Sequence, residues 1–217
     1  MIGLIDSGIC NLTSVIRAFE MVGAPVTAAT RPEQLEAATA IVLPGVGAFG
    51  DGMDGLVKRG FVEPLRRAVA GGTPLLGICL GMQLLLEESE EHGRHAGLGL
   101  LPGRVVRLVA DQPGFRVPNI GWCDVTPTRA GTLFPDASAV AAYYFVHSYH
   151  VQTSPDHVAA EIYFSGRKVA VALESGSVCG VQFHPEKSQD VGIDLLARWV
   201  DKLRVSGRLD MTEGALL

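Results

Sequence analysis

Cys79 stands in Gly77-Ile78-Cys79-Leu80-Gly81, with a glycine two residues away on either side. That spacing suits a nucleophile on a strained turn between a strand and a helix. The apolar run Thr73–Ile78 supplies the strand, and Leu80–Glu88 reads as the helix. The glycines let backbones approach where bulkier residues would clash. At a helix N-terminus the dipole and the free N–H groups favour a thiolate. The Leu80 amide would then point where an oxyanion forms. The chemistry is attack by sulfur on a carbonyl carbon. A buried cysteine in a Gly-bounded turn would look the same on this pentapeptide alone, so the other participants have to be found.

A thiol nucleophile needs a base that takes its proton and later returns it to the leaving group. Val181-Gln182-Phe183-His184-Pro185-Glu186 places a histidine at a second strand end, with a carboxylate two residues on. Glu186 could orient the imidazole and stabilise its charged form, and Pro185 restricts His184 to extended geometry. His92, His95, His147, His150 and His157 compete for the role; His147 and His150 lie near aromatic residues and read as structural or substrate-proximal. A third strand end carries Pro44-Gly45-Val46-Gly47-Ala48-Phe49-Gly50, where glycines around Val46 let backbone amides turn toward a ligand.

These segments share an edge only if the strands carrying them are parallel. Short apolar runs alternate with helical patterns through the first half. Ile2–Ile5, Pro25–Ala29, Ala40–Leu43 and Thr73–Ile78 read as strands. Helices are expected from an Asn11 cap to Gly23, over about 52–70, and from Leu80 to Glu88. That alternation is a parallel sheet covered on both faces, and the carboxyl ends of its strands share one edge. The second half changes character. Arg104–Val109, Ile120–Val125, Ala141–Val146, Ala159–Phe164, Val169–Leu173 and Val178–Phe183 are strand candidates separated by turns, which favours an antiparallel extension. Gln189–Val205 closes with an amphipathic helix. The expected fold is α/β: a central, mostly parallel sheet flanked by helices, in one domain over 1–205, with a loosely ordered tail over 206–217.

The chain of 217 residues is 47% hydrophobic, enough for one sizeable core. A formal charge of −5 argues against non-specific nucleic-acid binding. The chain opens directly on a strand pattern with no basic leader, and its longest apolar run, Ala139–Val146, is too short to cross a bilayer. A cytoplasmic protein is expected. Cys10, Cys79, Cys123 and Cys179 are widely spaced, which suggests neither a zinc ribbon nor a disulfide framework. His92 and His95 have no third ligand nearby in sequence, so no metal is expected, and no cofactor.

Gly77-Ile78-Cys79-Leu80-Gly81-Met82-Gln83 and Phe183-His184-Pro185-Glu186 together resemble the class I (triad) glutamine amidotransferases. Further segments resemble the glutaminase subunits of imidazole glycerol phosphate synthase: Leu43–Phe49, Gly97–Gly103, Gly121-Trp122, Phe145–Tyr149 and Glu186–Gln189. The likeness runs to about Val200. It implies a flavodoxin-like α/β fold and a thioester mechanism. Cys79 would attack the glutamine side-chain amide, His184 would be the acid/base and Glu186 its orienter. Leu80 and Gly47 would supply oxyanion-hole amides, possible after a peptide flip near Val46. Gln83, Glu91, Ser148 and Tyr149 match positions that hold glutamine. Asn11, Trp122, Tyr144 and Lys187 match positions facing the synthase subunit.

The same resemblance names the partner: a (β/α)₈-barrel cyclase in a heterodimer, which consumes ammonia in forming imidazole glycerol phosphate and AICAR phosphate. The chain shows no second domain and no phosphate loop where ammonia could be used. Some segments depart from the family pattern, namely Asp6–Asn11, Cys123 after Gly121-Trp122, and Ala159–Gly166 without a Tyr-Gly turn. Because several of these fall where a partner would dock, other readings stay open. One is a paralogue supplying a sugar amidotransferase and another a stand-alone cysteine γ-glutamyl hydrolase; the intact triad and elbow argue against a third, a silent binding subunit.

Overall fold

The computed structural model describes residues 1–8 and 12–209. The expected helix cap at Asn11, Cys10 beside it and the tail from 210 onward lie outside the described residues.

In chain order the first half comprises β1 (Ile2–Ile5), α1 (Leu12–Met21), β2 (Val26–Ala29), β3 (Ala40–Gly45), α2 (Phe49–Lys58), α3 (Val62–Ala70), β4 (Leu75–Cys79) and α4 (Leu80–Leu84). The second half comprises β5 (Glu88–Ser89), β6 (His95–Ala96), β7 (Arg104–Arg107), β8 (Asn119–Pro127), β9 (Ala141–His147), β10 (Tyr149–Gln152), β11 (Val158–Phe164), β12 (Arg167–Ser175), β13 (Val178–Val181) and α5 (Gln189–Val205). The strand order runs β2-β1-β3-β4-β13-β12-β10-β7-β5-β6, with β11, β8 and β9 branching from β12. From β2 to β13 every pairing is parallel. From β13 outward the pairing becomes antiparallel, apart from β5 on β7. This is the mixed α/β sheet that the change of sequence character implied.

The central strands β1, β3, β4 and β13 are buried along their whole length. They therefore read as continuous apolar runs and not as alternating ones. Alternation survives in which face each side chain meets. Leu4, Val42, Leu76 and Ile78 join one core with α1 and α5, where Phe19 meets Trp199 edge-on at 6.0 Å. Ile5, Ile41, Leu43 and Leu75 join the other core with Leu56 of α2 and Leu65 of α3.

Three elements differ from the sequence expectation. The helix expected over 52–70 is two helices, broken at Gly60 with φ +72. The helix expected to Glu88 stops at Leu84, because a neighbouring loop takes its end carbonyls: Leu98 N–H donates to Leu84 O, and the amides of Leu100 and Leu101 to Leu85 O. Ser206 to Leu209, expected in a loose tail, stay attached: the Arg208 amide donates to Leu203 O at 2.9 Å, and Leu209 packs against the core. Among the described residues no helix is long and apolar enough to cross a membrane.

Candidate active site

β4 runs straight into α4, and Cys79 at the junction takes φ +55 and ψ −110. A non-glycine residue at positive φ signals strain held by its surroundings. The flanking glycines are what permit it. A Cβ on Gly77 would lie 2.8 Å from backbone atoms of Gly81 and Met82, and one on Gly81 would lie 1.7 Å from Leu43 O. The turn is thus pressed against its own strand and against β3.

Register brings the other participants to the same edge. Gly45 of β3 pairs with Cys79, so the Val46-Gly47 loop leaves the sheet beside the thiol. Val181 of β13 pairs with Ile78, which puts His184 just past the end of the next strand. The His184 backbone is tied down: its amide donates to Tyr144 O, and its carbonyl accepts from Ser188 Oγ at 2.7 Å. Its side chain then meets Glu186, with Nδ1 to Oε1 at 2.7 Å and both side chains buried. A carboxylate at Nδ1 leaves Nε2 as the working nitrogen. Among the described residues Nε2 has no hydrogen-bond partner. Cys79 lines the same cavity as His184 with no hydrogen bond formed to Nε2, and catalytic hydrogen bonds of this kind tighten when substrate is bound.

Burial pushes the His184 pKa down, but the Cys79 sulfur and then the Glu186 carboxylate outweigh it and lift it to about 9. The imidazole is therefore protonated near neutral pH. The proton is lost as pH rises through about 9, so activity is expected to fall there. Removing the Glu186 charge in Glu186→Gln should move that alkaline limb to lower pH, as read from kcat/KM for glutamine against pH.

Cys79, His184, Val46, Gly47, Leu80, Gln83, Glu91, Pro118, Val146, His147, Ser148 and Tyr149 line one cavity of about 240 Å³. The positions matched to the nucleophile, the base, the oxyanion amides and the substrate contacts therefore converge on it. Glu186 stands behind His184. Glu91 also accepts the Phe49 amide at 2.7 Å, which ties the cavity wall to the first turn of α2. Of the positions matched to a partner face, Trp122 is 48% exposed and packs edge-on against Tyr144, its cross-strand partner. Lys187 is exposed on the turn after His184. Asn11 lies outside the described residues.

Two further residues belong to the site: His147, which the sequence reads as structural or substrate-proximal, and Gln182, to which it assigns no role. His147 lines the cavity, its Nδ1 2.9 Å from the Tyr149 carbonyl and its Nε2 3.1 Å from Asn119 Nδ2. A carbonyl only accepts, so Nδ1 carries the proton. Burial is the main cause that lowers the His147 pKa to about 4, and the ring is neutral. Gln182 is fully buried between Gln83 and Cys79. The available signal was a polar residue interrupting the apolar run Val178–Phe183.

The model of the glutamine amidotransferase class-I family matches residues 3–202. The chain belongs to that family. It is 43% identical over 206 residues to the imidazole glycerol phosphate synthase subunit HisH of Moorella thermoacetica, covering 95% of this chain and 97% of that protein. It is 46% identical over 202 residues to the HisH subunit of Bacillus licheniformis, covering 92% and 95%. Within the class-I amidotransferases it thus falls among the HisH subunits. Solved structures share the fold at lower identity. The PurLQS structure from Thermotoga maritima gives a TM-score of 0.72 at 18% identity, covering 93% of this chain and 98% of that one. A structure described as a glutamine amidotransferase gives 0.71 at 20%, covering 95% and 98%.

Proposed function

We propose that this chain is the glutaminase subunit of an imidazole glycerol phosphate synthase, with Cys79, His184 and Glu186 as its triad. The observation that carries the reading is the convergence of a strained thiol, a carboxylate-backed imidazole and the two Gly-supported amide positions on one cavity.

Cys79 Sγ adds to the side-chain amide carbon of glutamine, and the oxygen gathers negative charge facing Gly47 and Leu80. The C–N bond breaks as His184 gives its proton to nitrogen, releasing ammonia and leaving a γ-glutamyl thioester. Water then adds to the thioester carbon while His184 takes a proton from it. Collapse expels the sulfur and frees glutamate. Glu186 holds the imidazole through both transfers. Gln83, Glu91, Ser148 and Tyr149 hold the amino-acid end of the substrate, and the site uses no metal or cofactor.

Ammonia released to water would be protonated and lost as a nucleophile, so it has to pass directly to an acceptor site. The cavity mouth suits a docked partner. Ile120, Trp122 and Val146 are exposed on β8 and β9, and Val46 is exposed on the loop beside the thiol. Exposed apolar side chains gathered at one place mark an interaction surface. We assign the partner as a (β/α)₈-barrel cyclase in a heterodimer, with Trp122, Tyr144, Lys187 and Asn11 on the facing side and the complex in the cytoplasm. The product pair would be imidazole glycerol phosphate and AICAR phosphate, in histidine biosynthesis.

Glutamate release by the purified chain tests this, measured alone, with the barrel subunit, and with the barrel subunit plus its substrate. Turnover is expected to be low in the first case and highest in the last. Full turnover by the isolated chain, unchanged by any partner, would instead support a stand-alone hydrolase. Stimulation only by a sugar amidotransferase would support the paralogue.

A further inference from the structure

The sulfur of Cys79 has a neighbour that the triad does not use. Gln182 Nε2 lies 3.8 Å from Sγ, in a side chain with no solvent exposure. Its Oε1 accepts from Gln83 Nε2 at 2.9 Å, and Gln83 Nε2 also donates to the Tyr149 carbonyl at 3.1 Å.

An amide side chain can be turned end for end, so its polarity has to be argued from its partners. Here one partner has no choice. The Tyr149 carbonyl can only accept, and it accepts from His147 Nδ1 as well. Gln83 must therefore present nitrogen to Tyr149, and that nitrogen's second proton goes to Gln182. Gln182 must in turn present oxygen to Gln83, which leaves only its NH₂ to face the sulfur. The orientation is set from the backbone outward, and its last member is a donor aimed at the nucleophile. Gln83 and Gln182 are both buried, which strengthens the link between them, because water cannot replace a missing partner there.

We propose that Gln182 is a further catalytic residue, a hydrogen-bond donor to Cys79 Sγ that holds the sulfur anionic and aimed before it attacks. A donor is worth more to an ion than to a neutral thiol. It therefore favours the thiolate and fixes the direction of its lone pairs. His184 holds the proton for the leaving group, and Gln182 stabilises the charge that sulfur carries before it attacks and again when it is expelled from the thioester. The role rests on the glutaminase reading for its part in turnover, while the hydrogen bond to sulfur can be tested without it.

The test uses the full chain with two substitutions. Gln182→Met keeps length and volume but neither donates nor accepts through nitrogen or oxygen. Gln182→Glu keeps an acceptor for Gln83 and removes the donor once its carboxyl is ionised, which burial delays to higher pH. Iodoacetamide alkylation of Cys79 is followed by peptide mass across a pH series, with thermal melts to confirm folding. Gln182→Met is expected to be alkylated roughly tenfold more slowly than wild type at pH 8, the loss of one hydrogen bond to an ion, and Gln182→Glu likewise where its carboxyl is ionised. With the barrel partner and its substrate, kcat for glutamine should fall by about the same factor while KM changes little. Wild-type alkylation in both variants at every pH would overturn the proposal. So would a slow Gln182→Met beside a Gln182→Glu that stays normal up to the alkaline end of the series, since that would assign the effect to the Gln83 contact. If Gln182→Met fails to fold, the Glu variant alone decides. Failure of wild type to hydrolyse glutamine would remove the glutaminase reading and leave the alkylation result standing.

Discussion

Cys79→Ala is expected to abolish glutamate release while leaving the fold and its melting temperature close to wild type. The loss should be about three orders of magnitude or more, because members of a triad act as a unit. Among the described residues no other thiol is placed to substitute. Cys179 is buried in the core, and burial raises its pKa far above the usual thiol range. Cys123 lies on β8, bonded to Asn119 and outside the residues that line the cavity. Its pKa is raised too, chiefly by burial. The fold should survive because alanine removes one sulfur from a strained position and adds nothing. Backbone strain at φ +55 remains, and the surrounding packing holds it. His184→Ala should fall nearly as far, for it carries the proton in both half-reactions. Glutamate production by Cys79→Ala at even a tenth of the wild-type rate would remove the sulfur from the mechanism. The measurement is single-turnover glutamate release in the complex, with circular dichroism of each variant alongside.

Much of the architecture could be read from the chain because its central strands carry one simple signature. β1, β3, β4 and β13 are buried on both faces, so Ile2–Ile5, Ala40–Leu43, Leu75–Ile78 and Val178–Val181 are uninterrupted apolar runs. The candidate triad was legible for a related reason: its members sit just past those strands, in short motifs whose chemistry is local. What sequence could not show is set by contacts across the fold. Leu84-Leu85-Leu86 continues a helical pattern, and only the amides arriving from residues 98–101 end the helix. β10 follows β9 after the single residue Ser148, so one apolar stretch hides two strands with different partners. β5 and β6, at Glu88-Ser89 and His95-Ala96, have no apolar alternation to report them. The direction of the Gln182 amide depends on a backbone carbonyl in β10, and no local pattern carries that information.

Gly81→Ala is expected to cost the protein its stability as well as its chemistry, and Gly47→Ala only its chemistry. The two glycines serve different needs. Gly81 belongs to α4, where alanine would ordinarily be favoured over glycine by about 1 kcal/mol. Here the added Cβ would sit 1.7 Å from the Leu43 carbonyl oxygen and 2.8 Å from its carbon. Those are backbone atoms of β3, the strand paired to both β1 and β4, so they cannot swing aside as a side-chain end would. Either the elbow lifts off the sheet or β3 bends, and overpacking of this kind costs roughly 3 kcal/mol or more. For a domain of this size that corresponds to a melting temperature lower by about 10 °C. Cys79 would move with the elbow, and turnover would fall too. Gly47 has φ +96 and nothing within 4 Å of the site of an added Cβ. Alanine there meets no clash, only the penalty of a left-handed backbone, of order 1 kcal/mol. That penalty falls on a loop beside the thiol, where it biases the direction of the peptide amides without loosening the core. The melts of the two variants should therefore separate clearly, while glutaminase activity in the complex drops in both. A Gly81→Ala protein that melts with wild type would mean that the elbow is not pressed against Leu43. The strain at Cys79 would then have some other support.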